Sequence, residues 1–528
     1  MESTGCGILW KKVTAGKDAV TVRGICALKL DLAGRRSEMS RLSFRVHGEE
    51  KNPIRVRFFM PKGIPFIGGY RLHPFRMEIP YEDALLLDVQ NRIMLWYGDQ
   101  EVCGVSYNLL ERRQGAFRTS RLIRSGGKVM YFRQTAGNKM WFVVRPENRY
   151  DSPAESFRVF RAWLLARLMG RSDHILMFEK ESSRYEESAS VLFEKLVDQG
   201  YRNVYYIIDR DNPAVKDLDE AYRAQMIEKD SFRHLLYFFR CHRFVGTETM
   251  EHAAQLRTSN RRLMAKARST DLTHVFLQHG VMYMVSLDAD ARAGFIDRKV
   301  DQYRTVVSSE AEAMHFMLLG GFQREELYVT GLAKFDRSVR EPDADRIMIM
   351  PTWRRWETNL AERDFQSIGY YRMLEGMVAA VPEEWRDRII IKPHPLMEQM
   401  MEGGKTPLAR YLQPEMSHDE ALRHCRLLIT DYSSIAYDAF YRGANVVFCW
   451  GDKESCMKHY GGAHLMLNEY NAFGDICYTR EQTERAVRAG YSMEQNPDYV
   501  RKYRRIVEFH DNRNTERIID KLKQDHIL

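Results

Sequence analysis

No two of the eight cysteines stand at C-x-x-C spacing; Cys6, Cys26, Cys103, Cys241, Cys425, Cys449, Cys456 and Cys477 are scattered. That pattern argues against a structural zinc site, and isolated thiols suit a reducing compartment better than a disulfide framework. The segment Met1–Lys12 has neither the basic nor the apolar region of a signal peptide. Apolar runs fall short of the ~20 residues that a membrane-spanning helix needs. These absences lead to the expectation of a cytosolic chain that meets a membrane only at its surface. Basic residues exceed acidic ones by 80 to 72, a net +8 over 528 residues. The surplus is compatible with anionic lipid, polyphosphate or nucleotide. It forms neither a stripe nor a tail, so no nucleic-acid partner is expected. There is no Gly-x4-Gly-Lys-Ser/Thr loop.

What is present is periodicity that changes along the chain. Residues 1–150 read as a β-rich accessory domain, a sandwich or small barrel. Ala19–Arg23, Arg41–Val46 and Ile54–Phe58 alternate apolar with polar side chains, and turns such as Ser125-Gly126-Gly127 separate the runs. Residues 151–172 read as a linker carrying a basic, aromatic-rich helix from Phe157 to Arg171. Two uses stay open for it: lying in a membrane interface, or packing as a connector between domains. From Ile175 onward apolar strands alternate with helices, which predicts parallel sheets covered on both faces. The repeat falls into two series, 173–340 and 341–490, followed by a helical tail at 491–528. The fold class is therefore α/β, a pair of Rossmann-like domains with a cleft between them.

Chemistry-bearing residues cluster just after the apolar runs, where open parallel sheets place their ligands. Gln278-His279-Gly280 follows one run; His279 could serve as a general base, and the glycine lets a substrate approach. Lys392-Pro393-His394-Pro395 follows another. Two prolines pin His394, and Lys392 adds a cation, a combination suited to gripping a pyrophosphate oxygen. Thr430-Asp431-Tyr432-Ser433-Ser434 opens a helix whose first N–H groups and hydroxyls could hold phosphate, with Asp438 one turn further along. Arg354 stands at a fourth strand end and suits bidentate phosphate contacts. The bland alternatives are strand-end histidines, a capped helix and packed tryptophans at Trp353 and Trp356. Asp288-Ala289-Asp290 and Asp343-Ala344-Asp345 match a metal–nucleotide pattern only superficially, so no metal site is assigned.

Together these stretches, with Gly331-Leu332-Ala333-Lys334-Phe335-Asp336 and Met350-Pro351-Thr352-Trp353-Arg354, resemble the CDP-glycerol glycerophosphotransferase family of teichoic-acid primases and polymerases and related capsule polymerases. The resemblance covers about residues 173–490. It implies a GT-B-like architecture and transfer of a polyol phosphate from CDP-glycerol or CDP-ribitol to a hydroxyl, with CMP released. The CDP-polyol would be a co-substrate and no cofactor is implied. His279 would deprotonate the acceptor and His394 would assist departure of CMP. Arg354, Lys392, Thr430, Ser433, Ser434 and Asp438 would hold the donor. The acceptor would be a lipid-linked glycan or polyol phosphate at the cytoplasmic membrane face. The sequence departs from the family where Thr-Pro-Leu-Lys usually follows His-Gly: here it is Val281-Met282-Tyr283-Met284, without a lysine. It departs again where Gly331–Asp336 replaces Gly-Tyr-Pro-Arg-Asn-Asp. A nucleotide-sugar glycosyltransferase on the same fold and a non-catalytic, membrane-associated assembly partner remain as alternatives.

Overall fold

The computed structural model describes residues 6–28, 40–46, 52–59, 71–87, 89–102, 104–108, 118–134, 140–255, 258–287, 302–357, 361, 364–393, 397–398, 400–401, 406–459 and 464–528. The chain forms two compact units, residues 1–158 with 257–268 and residues 159–256 with 269–528. The short helix Arg261–Ala267, capped by the Asn260 carboxamide, belongs to the first unit although its sequence lies within the second.

The first unit is a β-sandwich. One sheet runs in the order Arg55–Phe58, Arg71–Pro80, Ala19–Leu28, Cys6–Ala15, Gly104–Asn108; the other runs Ile123–Ser125, Lys128–Gln134, Met140–Pro146, Gln90–Tyr97, Leu42–Val46. Alternation drives the packing: Leu42, Phe44 and Val46 face inward while Ser43 and Arg45 do not. Trp10 and Phe75 come from the first sheet and Phe44 and Phe132 from the second. The Trp10 ring centroid lies 5.5, 5.6 and 6.0 Å from those of Phe44, Phe75 and Phe132. These rings supply much of the apolar area that joins the sheets.

The second unit holds two all-parallel sheets. The first has the spatial order Met226–Glu228, Val204–Ile208, Ile175–Phe178, Arg243–Gly246, Thr273–Phe276, Gln302–Val307, Leu327–Val329. The second runs Ile389–Ile391, Arg346–Ile349, Cys425–Thr430, Asn445–Cys449, Asp475–Cys477. Strands such as Ile175–Phe178 and Ile389–Ile391 are buried at every position, as helices on both faces require. The order in which successive strands are added reverses between Ile175–Phe178 and Arg243–Gly246 in the first sheet and between Arg346–Ile349 and Cys425–Thr430 in the second. Those are the crevices where such sheets bind ligands.

The two halves are joined by packing and by main-chain bonds. Val285 pairs with Leu465, Met466 N–H donates to the Met284 carbonyl at 3.0 Å, and the Tyr437 hydroxyl donates to the Tyr283 carbonyl at 2.9 Å. One hydrophobic core includes Val281, Met284 and Val285 with Tyr437, Phe440 and Leu467. The final helix, Asn514–Gln524, returns to the first half. Its Asn514 and Thr515 N–H groups donate to the Asp336 carboxylate at 3.0 and 2.7 Å. Asp336 thus satisfies two of the orphan donors at a helix start. The second unit is thus a GT-B-like pair of Rossmann-like halves.

Candidate functional site

His279 leaves the Thr273–Phe276 strand on a bend that the sequence pins firmly. Gln278 adopts a left-handed φ of 58°, unusual outside glycine, and its side chain is buried against the Val306 carbonyl. The buried Glu312 carboxylate accepts from Met282 N–H at 2.7 Å and from Ser308 N–H and hydroxyl at 2.6 and 2.7 Å. A carboxylate gripping both neighbouring strand exits fixes the loop. Burial raises the pKa of Glu312, and these bonds oppose the shift.

The loop then meets the second half. A methyl group at Gly280 would lie 3.3 Å from Ser434 Oγ and 4.0 Å from Asp438 Oδ2. Glycine is thus what lets the His279 loop come this close to the start of the helix Ile435–Tyr441. Ser434 stands at the cap position, makes no side-chain cap bond and presents its hydroxyl to Gly280. Ser433 Oγ accepts from Ile435 N–H at 3.4 Å. Lys334 closes the arrangement: its Nζ donates to the His279 carbonyl at 2.8 Å and lies 2.5 Å from Asp438 Oδ1. A lysine therefore reaches the His-Gly loop from another segment. Val281 and Met284 are buried in the core between the halves.

The His279 ring keeps 39% of its surface accessible and faces acidic and basic groups together. Burial lowers its pKa from the ordinary imidazole value; Glu248, with Oε1 3.9 Å from Nδ1, raises it, and Lys334 and Lys180 lower it. Cations also converge on His418, whose pKa falls to about 4 through burial, Arg184, Lys392 and Lys180. Lys180 and Arg184 come from the first half and Lys392 and His418 from the second, so basic groups of both halves act on one ring.

Arg354 is buried at 3% exposure and pairs with Asp431 at 2.8 Å and Asp452 at 2.9 Å while donating to the Thr352 carbonyl. Burial works against its charge, and the two carboxylates overcome that, so its pKa is raised. Asp431 in turn accepts from Thr352 N–H at 2.8 Å, and the Tyr432 hydroxyl donates to Asp452. Arg354 thus braces the Thr430–Ser434 turn from behind. Thr430 donates its hydroxyl to the Met350 carbonyl at 2.7 Å, tying the two strand exits together. Lys392 is buried and donates to the Gln413 and Met416 carbonyls at 2.9 and 2.8 Å, with Glu398 3.7 Å away. Of the residues singled out in the sequence, the His279-Gly280 loop meets Ser434 and Asp438, with Ser433 next in the chain, while Arg354, Thr430 and Lys392 are engaged by protein partners. His394, Asp288 and Asp290 fall outside the described residues. Trp353 packs edge-on to Tyr370, and Trp356 stacks on His459.

Sequence reasoning passed over Lys334, Glu248, Lys180 and His418 as site residues. Glu248 was reachable by the rule that found His279, since it too follows a buried strand. Lys334 stood in the Gly331–Asp336 stretch without a role.

Over residues 160–524 the sequence matches the family described as CDP-Glycerol:Poly(glycerophosphate) glycerophosphotransferase. The minor teichoic acid biosynthesis protein GgaB of Bacillus subtilis (strain 168) is 21% identical over 375 residues, 65% of this chain and 39% of GgaB. The chain thus spans well under half the length of that curated relative. Among solved structures, a histidine-to-asparagine variant of the wall teichoic acid polymerase TagF soaked with CDPG aligns at TM-score 0.48 and 13% identity, covering 71% of this chain and 98% of the chain in that structure. The UDP-GlcNAc 2-epimerase of Methanocaldococcus jannaschii aligns at TM-score 0.40 and 13% identity, covering 66% and 99% of the two chains. With its match extending over well more than half of its length, the chain belongs to the CDP-glycerol:poly(glycerophosphate) glycerophosphotransferase family.

Proposed function

We propose that the protein transfers glycerol phosphate from CDP-glycerol to a hydroxyl of a lipid-linked or polymeric acceptor and releases CMP, in synthesis of a teichoic-acid-like envelope polymer. One observation carries the reading beyond family membership: the His279-Gly280 loop lies against Ser434 and Asp438 across the two halves, with Lys334 bridging them. His279, its pKa depressed by burial, is unprotonated near neutrality and can remove the proton of an acceptor hydroxyl. Ser433 and Ser434, with the N–H groups at their helix start, suit a donor phosphate. The cations Lys180, Arg184 and Lys334 offset the charge of the pyrophosphate and of the departing CMP. His394, by the family resemblance, assists that departure.

A membrane-bound acceptor agrees with the helix Pro153–Met169. It buries Val159, Ala162 and Ala166 and leaves Leu164, Leu165, Leu168 and Met169 exposed beside Arg161, Arg167 and Arg171. Small residues facing in and large apolar residues facing out, flanked by arginines, suit an anionic lipid surface at the cytoplasmic face. Among the described residues no helix is long and apolar enough to cross a membrane.

The test is nucleotide release from a panel of CDP-glycerol, CDP-ribitol, UDP-sugars and GDP-sugars with lipid-linked acceptor analogues. CMP from CDP-glycerol, reduced about 10²- to 10⁴-fold in His279→Ala, is the expected result. CMP from CDP-ribitol alone would change the polyol. Release of UDP or GDP would overturn the phosphotransferase reading.

A further inference from the structure

We propose that Glu248 is the positioning residue of this site: a carboxylate held between two imidazoles that orients His279 so that Nε2 receives the acceptor's proton. The assignment rests on the phosphotransferase reading above. Topology brings the pair together. Glu248 lies two residues beyond the Arg243–Gly246 strand, and that strand pairs in parallel with Thr273–Phe276, whose exit carries His279. Adjacent strands therefore deliver carboxylate and ring to one crevice at the sheet's carboxyl edge. The Glu248 side chain is 12% exposed, with Oε1 3.9 Å from His279 Nδ1 and Oε2 3.8 Å from His252 Nε2.

The rear imidazole has a determined tautomer. Glu181 N–H donates to His252 Nδ1 at 2.9 Å, so in the neutral ring the proton sits on Nε2, the atom turned toward Glu248. The Ser182 hydroxyl donates to the His252 carbonyl at 2.9 Å. Glu181 and Ser182 both have left-handed φ values, 55° and 52°, a conformation that non-glycine residues adopt at a cost and that here delivers the Glu181 N–H to His252. His252 thus presents an N–H dipole to one side of the carboxylate, and His279 stands on the other.

A carboxylate facing Nδ1 favours the His279 tautomer protonated there and leaves the Nε2 lone pair for the acceptor. When the acceptor hydroxyl gives up its proton to Nε2, its oxygen forms the new P–O bond as the P–O bond to CMP breaks. Glu248 stabilises the resulting imidazolium and takes no proton itself, the role that an aspartate plays beside the histidine of a serine-protease triad. The groups acting on the ring are Glu248, the Thr247 main chain, Lys334 and Lys180; Glu248 and Thr247 raise its pKa, and burial and the two lysines lower it.

The test uses the full chain with Glu248→Gln, Glu248→Asp and His279→Ala, each checked by thermal unfolding. Two readouts are taken: kcat against pH for CMP release from CDP-glycerol, and the NMR titration of the His279 imidazole, assigned by its loss in His279→Ala. Glu248→Gln is expected to lower kcat about 10- to 100-fold, by analogy with the loss when a partner that orients a metal-bound imidazole is removed. Its acidic limb and the His279 titration both move to lower pH, and Glu248→Asp restores part of each. An unchanged His279 titration in Glu248→Gln overturns the proposal, whatever the activity. If Glu248→Gln fails to fold, Glu248→Asp decides by the direction of its smaller shift. A wild-type chain inert on CDP-glycerol whose His279 titration still shifts in Glu248→Gln would refute the phosphotransferase reading and leave the coupling intact.

Discussion

Removing the Lys334 ammonium provides a sharp test of how the two halves are held at the site. Lys334 lies in the turn Ala333–Arg337 of the first half and Asp438 in the helix Ile435–Tyr441 of the second. Their charged atoms are 2.5 Å apart, and the side chains are 13% and 7% exposed. At an effective dielectric of about 20 the attraction is roughly 7 kcal/mol, most of which offsets the desolvation of both ions. Lys334→Met leaves Asp438 buried without that partner and is expected to cost about 3–5 kcal/mol, as is Asp438→Asn, which strands the ammonium. The double variant removes both charges and should lose only about 1 kcal/mol, chiefly the hydrogen bond from Lys334 to the His279 carbonyl. Urea unfolding of the full chain, monitored through the transition of the second unit, measures all three. Single-variant losses below about 1 kcal/mol, or a double variant equal to the sum of the singles, would refute the view that this pair joins the halves. Turnover is a separate check: both single variants displace the loop that carries His279, so kcat should fall with stability.

Gly280→Ala places a methyl group 3.3 Å from Ser434 Oγ, so kcat/KM should drop about tenfold or more while the melting temperature stays near wild type; an unchanged kcat/KM would show that the close approach is not used. His418 titrates near 4 in the folded chain and near the ordinary ~6.5 when unfolded, so the unfolded state binds the extra proton between those values and stability falls as pH drops from 6.5 to 4. His418→Asn should flatten that dependence by up to about 3 kcal/mol, measured by unfolding at pH 7 and pH 4. Leu164→Glu with Leu168→Glu should reduce cosedimentation with anionic vesicles at least about tenfold and leave turnover of a soluble acceptor analogue unchanged; undiminished cosedimentation would remove this helix from the membrane contact.

The parallel strands were legible because burial on both faces demands apolar runs, as in Ile175–Phe178 and Leu427–Ile429, and the rule that ligands gather at the carboxyl ends of such strands made His279 and Ser434 candidates. The sandwich was legible from period-two alternation in strands such as Leu42–Val46. Other features depend on contacts far apart in the chain. Arg354 reads in sequence as a free phosphate ligand. In the fold it is flanked by Asp431, 77 positions on, and Asp452, 98 positions on, and only tertiary structure brings such charges into one low-dielectric site. Lys392 likewise reads as a cation beside His394, yet its ammonium is directed at the Gln413 and Met416 carbonyls. The helix Arg261–Ala267 carries no local signal that it packs with the first unit rather than with its sequence neighbours.

The departure at Val281–Met284 has a structural reason that bears on chemistry. A loop ending in lysine would bring its own cation to the His-Gly turn but would need solvent around it. Here the same positions are apolar, and Val281 and Met284 are buried where the halves meet. Met284 and Tyr283 offer their carbonyls to Met466 and Tyr437 of the second half. The cation then has to come from elsewhere, and Lys334 provides it, fixed at once by the His279 carbonyl and by Asp438. Buried between two oxygen partners, the Lys334 charge is already in place and has little freedom left to lose. The His279 main chain is thereby referenced to both halves, so the His279 loop and the helix Ile435–Tyr441 keep one separation, as in-line attack would require under the proposed function.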